Sequence, residues 1–127
     1  MKYEITLIEI LLELFEKSDE DKNVSITLPY TDIEKCFILL NEAYKEIPAY
    51  LISQDLFELI KHSGEFEYYE ELQHKSVDGR RFTLYGRFLG SVVIVDTSLK
   101  NHNYIWFVNR KQTSTPNIYI KHKLIIS

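Results

Sequence analysis

The chain has 127 residues, of which 45% are hydrophobic and 27% charged, and its formal net charge is −4. This length predicts a single domain over residues 1–127, with a core large enough to fold without disulfides or a structural metal. The apolar runs are too short to cross a bilayer, so we expect no membrane partner. The N-terminus lacks the order of a signal peptide, and Cys36 is the only cysteine. A reducing, intracellular setting is therefore expected, without secretion through a signal peptide.

Charge is distributed unevenly along the chain. Residues 1–72 carry 6 Lys and Arg against 17 Asp and Glu, a net −11, whereas residues 73–127 carry 9 against 2, a net +7. Two interpretations stay open. The halves compensate each other within one domain, or they attract a neighbouring copy or another charged partner.

The first half of the chain has the apolar spacing of amphipathic helices. A capping box at 6–9 predicts a helix from Leu7 to Lys17. Its second apolar stripe, Leu7, Ile10 and Leu14, indicates a helix that is covered on two sides. A solvated loop over 17–23 and a short strand over 24–28 are expected to follow.

A second capping box at 31–34 predicts a helix from Asp32 to Glu46. Pro48 ends it, and residues 49–52 have the composition of a strand. Ser53 is placed to cap a short helix over 54–62. Residues 65–72 fit either a strand or a helical turn, and that choice stays open.

Strand patterns dominate the second half. Asp78-Gly79 is a turn pattern, and Gly86 and Gly90 indicate a kink or bulge. The run Val92–Val95 is apolar at every position, which predicts a central strand covered on both faces. Further strands are predicted over 82–85, 104–108 and 118–126, the last as a half-exposed edge strand protected by lysines. Together these patterns predict an α+β fold, with a mixed, mainly antiparallel sheet from the C-terminal half covered by N-terminal amphipathic helices.

No pattern in the sequence predicts catalysis. The four glycines do not form a phosphate-binding loop, the four histidines lack metal-ligand spacing, and a thiolate zinc cluster needs more than one cysteine. Cys36 lies on the apolar stripe of a predicted helix, where a small core residue is favoured over a nucleophile. We therefore expect neither enzymatic activity, nor a cofactor, nor a metal.

Five cations of the basic half form the candidate interaction surface: Arg80, Arg81, Arg87, Arg110 and Lys111. Near Phe82 and Trp106, some of them could bind single-stranded nucleic acid. Trp106 is nevertheless predicted to lie in the core, and the net negative charge disfavours a nucleic-acid partner. A protein partner or self-assembly is the favoured interpretation.

One family resemblance rests on short segments after the predicted 32–46 helix. They are Ile47-Pro48-Ala49-Tyr50-Leu51-Ile52-Ser53, the helix 54–60, Phe88-Leu89-Gly90-Ser91-Val92-Val93-Ile94-Val95-Asp96, and Tyr104-Ile105-Trp106-Phe107-Val108-Asn109. Residues 32–109 thereby resemble the axial domain of the major capsid proteins of tailed bacteriophages, a fold shared with encapsulins. The family's capsid proteins are longer, and this sequence has no room for their extended loop, N-terminal arm and full peripheral domain.

The resemblance implies a structural role, carried out through protein–protein contacts in the virion or the host cytoplasm. Because of the departures, an accessory virion component or a capsid-like domain with another use is favoured over a shell protein. Two alternatives stay open: a small phage-type binding protein that inhibits or sequesters a host factor, and a nucleic-acid binder that uses the basic half.

Overall fold

Seven strands form one sheet in the computed structural model, which describes residues 5–28, 32–99, 103–111 and 118–126. The elements in chain order are α1 (Leu7–Lys17), β1 (Asp19–Leu28), α2 (Ile33–Ala43), β2 (Ala49–Ser53), α3 (Gln54–Ile60), β3 (Phe66–Val77), β4 (Arg80–Phe88), β5 (Ser91–Asp96), β6 (Tyr104–Arg110) and β7 (Tyr119–Ile126). The strands lie in the order β1-β7-β6-β2-β5-β4-β3. Pairs β1–β7 and β2–β5 are parallel, and the other four are antiparallel. The predicted α+β fold with a mixed, mainly antiparallel sheet is confirmed.

The centre of the sheet is the β2–β5 pair, and every residue of both strands is buried. Side chains of a strand alternate between its two faces, so complete burial requires cover on both. The prediction of a central strand over 92–95 is therefore confirmed.

The cover comes from helices on opposite faces of the sheet. Ile8, Leu11 and Phe15 of α1 join one apolar cluster with β2, β4, β5 and β6. Buried residues of α2 and α3 belong to a second cluster with the other face. Among the described helices, none has the combination of length and apolarity that a membrane crossing needs.

Two-residue turns connect three consecutive strands. Asp78 and Gly79 link β3 to β4 with φ of 50° and 78°, and Leu89 and Gly90 link β4 to β5 with φ of 52° and 84°. Two consecutive positive φ values are typical of the type I′ turn that suits tight hairpins. The β4–β5 register shifts between Leu84 and Gly86, so the predicted bulge is present.

Several predicted boundaries differ from the structure. Strand β1 begins at Asp19, so the predicted loop over 17–23 is largely a strand that pairs in parallel with β7. Helix α2 ends at Ala43 because Tyr44 already has extended backbone angles, and α3 ends at Ile60. The open choice over 65–72 is resolved as strand β3, since its backbone pairs with β4.

The prediction of an edge strand over 118–126 was wrong. Strand β7 lies between β6 and β1, and hydrogen-bonded neighbours flank it on both sides. The two outer strands are β1 and β3. Lys121 and Lys123 alternate along β7 because they point to one face of an interior strand, where they are half-buried.

The helix caps were predicted only in part. Ser53 accepts a hydrogen bond from Leu56 N at 3.2 Å, as expected. Thr6 occupies the N-cap of α1, but its side chain makes no capping hydrogen bond; Ile8 N instead donates to Gln73 Oε1 of β3 at 2.9 Å. Asp32 caps α2 by accepting from Lys35 N, and the first residue of that predicted box, Thr31, lies outside the described residues.

Candidate binding pocket

A pocket of about 640 Å³ opens between the C-terminal half of α1 and the sheet, at the end where β2 and β5 terminate. Its lining, over the residues that the structure describes, is mainly apolar and aromatic, with four charged side chains. The lining residues are Leu12, Phe15, Glu16, Leu51, Val77, Asp78, Arg80, Phe82, Leu99, Tyr104, Trp106 and Lys121. In volume and lining it resembles the clefts that hold small molecules in proteins.

An ion pair with the buried carboxylate of Asp96 fixes the Arg80 guanidinium, the most prominent charged group of this pocket. Asp96 is fully buried, and its Oδ2 accepts from Arg80 Nε at 2.8 Å and from Arg80 Nη2 at 2.5 Å. Its Oδ1 accepts from Ser98 N at 3.0 Å and from Ser98 Oγ at 2.6 Å. A buried carboxylate needs such partners, because leaving it unpaired is costly. The Arg80 side chain is 50% exposed, and its guanidinium lies 4.9 Å from the Phe82 ring centroid.

On the opposite side of the pocket, Tyr104, Trp106 and Lys121 are lining residues, and Lys123 lies next to the aromatic rings. Lys121 Nζ and Lys123 Nζ each lie 5.4 Å from the Trp106 ring centroid, and Lys123 Nζ lies 4.7 Å from that of Tyr104. We call Tyr104, Trp106, Lys121 and Lys123 the cation–aromatic wall. All four lie on the α1 face of β6 and β7, since the register pairs Trp106 with Lys123 and Val108 with Lys121. Their spacing is that of cation–π contacts.

Among the described lining residues, positive and negative charges are equal in number. Arg80 and Lys121 are positive, and Glu16 and Asp78 are negative. None of the carboxylates that the structure describes lies within ion-pair distance of Lys121 or Lys123. In the backbone register, β1 places Glu20 across from Lys121.

The five cations predicted as one surface lie at both ends of the sheet. Arg80 and Arg81 begin β4 at the end where the pocket opens, whereas Arg87 is near the end of the same strand, about 23 Å away at strand spacing. Arg87 Nε donates to the Tyr69 hydroxyl at 3.0 Å. Arg110 and Lys111 close β6 at that second end, and β2 and β5 separate them from β4. Only Arg80 lines the pocket.

Other candidate groups lie within the fold. Cys36 is 3% exposed, and burial, followed by the charge of Asp32, raises the pKa of its thiol. A protonated, buried thiol is a poor nucleophile. His122 is buried, stacks on Phe107 and contacts Asn109 Oδ1 through Nε2 at 2.6 Å. Over the described ranges, no three His, Cys, Asp or Glu side chains converge as metal ligands.

Sequence reasoning missed most of this pocket. Asp96 could have been found as the polar residue that ends an otherwise apolar strand. The alternation of Lys121 and Lys123 is visible in the sequence, but their position across from Trp106 depends on the β6–β7 register. Trp106, predicted as core, packs at the edge of the α1-side cluster and is half-buried.

No protein-family model matches this chain, and neither does any curated protein sequence or solved structure.

Replacing Arg80 with alanine is expected to lower the free energy of unfolding by about 2 kcal/mol, because the buried Asp96 carboxylate loses two hydrogen bonds. Urea denaturation measures this change. Arg81→Ala is the matched control: it removes the same charge next to Arg80 from an exposed side chain, and should cost a few tenths of a kcal/mol. Equal losses in the two variants would show that the ion pair contributes little.

Proposed function

We propose that this protein is a non-enzymatic assembly module that acts by self-association. The observation that carries the proposal is an apolar stripe facing solvent beside α1. Ile5, Leu7 and Ile10 are 59%, 37% and 46% exposed, and we call these three residues the outer stripe. The opposite side of α1 is already buried against the sheet. An amphipathic surface helix normally exposes polar residues on its outer side, so this stripe is suited to a protein contact.

The proposed occupant is a second copy of this chain, and charge complementarity supports that choice. Exposed Glu13 and Glu16 lie on α1 together with the outer stripe. The cation–aromatic wall offers aromatic rings and two lysines on the same face of the sheet. In a dimer with a twofold axis, the outer stripe of each copy therefore packs against the cation–aromatic wall of the other copy. Opposite charges across such a contact favour association and fix its register.

The resemblance to capsid axial domains gives this proposal its finer form, an accessory or capsid-like component of a phage particle. This finer form is supported only by the sequence segments 47–53, 54–60, 88–96 and 104–109, which carry the resemblance. The assembly role itself is supported by the exposed stripe and does not depend on that kinship.

The test is the mass of the native protein by light scattering at low and high salt. We expect a salt-sensitive dimer, and Ile10→Glu should weaken its association about 100-fold by placing a charge in an apolar contact. The matched control is Leu59→Glu, because Leu59 is 54% exposed on α3, which packs on the opposite face of the sheet.

Two results would contradict self-association. The first is a parent protein that stays monomeric at about 100 µM, a concentration at which weak dimers form. That result would favour the alternative of a binder for a host factor. Measurable binding to single-stranded DNA or RNA at physiological ionic strength, with a steep fall as salt rises, would favour the nucleic-acid alternative.

A further inference from the structure

We propose that the pocket beside α1 is a binding site for a planar aromatic carboxylate, with the ligand's carboxylate on Arg80 and its ring among the aromatic side chains. The inference goes beyond assembly, since it concerns a small molecule and requires only one copy of the chain.

Arg80 supplies the anion-binding group. A guanidinium has five N–H donors, and Asp96 takes one from Nε and one from Nη2, which leaves three. Among the described residues, the Arg80 side chain has no hydrogen-bond partner other than Asp96. Asp96 and the Phe82 ring hold the guanidinium in place before any ligand arrives. Its remaining donors form the planar fork that matches a carboxylate.

The rest of the pocket suits a flat ring. Phe15 approaches from α1, Phe82 from β4, and Trp106 from β6, so aromatic side chains line three sides. Leu12, Leu51 and Leu99 add aliphatic contacts. Aromatic stacking and edge contacts favour a planar ligand over a branched aliphatic one of the same size.

The carboxylates at the pocket disfavour a multiply charged anion. Asp96 is paired with Arg80, and Glu16 and Asp78 are among the lining residues, so a phosphate dianion or a polynucleotide would approach three carboxylates and two described cations. A carboxylate needs only the fork of one guanidinium. For that reason we favour an aromatic carboxylate over a nucleotide.

The probe is 2-naphthoate, and the readout is the indole N–H cross-peak of Trp106 in a ¹⁵N-correlated NMR spectrum. The chain has one tryptophan, so this single peak reports on the pocket. We expect a saturable shift with a dissociation constant on the order of 100 µM, as suits a ligand of this size. The cationic isostere 2-naphthylmethylammonium should bind at least about tenfold more weakly.

Variants locate the site. Arg80→Lys keeps a positive charge near Asp96 but loses the planar fork, and should weaken binding about tenfold. Arg81→Lys, the same change at the neighbouring exposed position, should leave binding unchanged. Val77→Phe adds a ring at a lining residue that is 41% exposed and keeps Trp106 as the one tryptophan; it should abolish binding while the amide spectrum stays that of a folded protein.

Titrations in the Ile10→Glu background separate this proposal from self-association. Trp106 and Lys121 belong both to the pocket and to the proposed contact between copies, so the variant that does not associate should bind 2-naphthoate at least as tightly as the parent. The proposal is overturned if the Trp106 peak does not move at millimolar 2-naphthoate. It is also overturned if the ammonium isostere binds as tightly, if Val77→Phe binds normally, or if oligo(dT) displaces 2-naphthoate in a salt-dependent manner.

Discussion

Gly86→Ala is expected to destabilise the protein by at least about 3 kcal/mol, the upper range for overpacking a filled site. A β-carbon on Gly86 would lie 2.0 Å from Glu67 O and 2.9 Å from both Glu67 C and Tyr68 Cα. All three atoms belong to the backbone of β3, so no side-chain rotation relieves the overlap. The β3–β4 pairing would have to open at this position. Urea or thermal denaturation, followed by circular dichroism, measures the loss.

Gly64→Ala is the matched control, because a β-carbon at Gly64 has no described atom within 4 Å. It should change the free energy of unfolding by less than about 1 kcal/mol, through backbone entropy alone. If both variants unfolded at the parent midpoint, the close approach of β3 to Gly86 would be wrong.

Val93→Asp is expected to prevent folding. Val93 is fully buried on β5, pairs with Tyr50 of β2 and Gly86 of β4, and belongs to the cluster that α2 and α3 cover. A carboxylate there without a partner costs several kcal/mol, comparable with the whole stability of a domain of this size. The expected result is an insoluble protein, or a soluble one without a cooperative unfolding transition.

The control for this variant is Val77→Asp, since Val77 is 41% exposed at the end of β3. It should fold with a midpoint close to that of the parent. A cooperatively folded Val93→Asp protein with an unchanged midpoint would place that side chain at the surface and contradict the central position of β5.

The sequence by itself determined the elements whose burial pattern is local. Helix α1 spans Leu7–Lys17 as predicted, because its apolar residues recur at helical spacing, a pattern that does not depend on which elements pack against the helix. The continuous apolar run of β5 and the Asp78-Gly79 turn are equally local, and both are present as predicted. From these elements alone the α+β class and the main direction of strand pairing could be predicted.

Only the tertiary structure decided the features that join residues far apart in the chain. Strand β7 has an edge-like alternation of lysines, yet β1 covers it through backbone pairing across more than ninety residues. The side-chain pattern of β7 does not predict this neighbour, because the hydrogen bonds between paired strands are made by main-chain atoms. Gln73 caps α1 in place of Thr6 for a similar reason, since any nearby oxygen can satisfy an exposed amide.

The pocket was decided in the same way. Arg80 and Asp96 are separated by 16 residues, and their pairing depends on the β4–β5 hairpin and its bulge. The cation–aromatic wall depends on the β6–β7 register, because a slip of one residue would move Lys121 and Lys123 to the other face of the sheet. Composition revealed an excess of cations in the basic half, but strand order and register determined that, among the cations that the structure describes, Arg80 and Lys121 line the pocket.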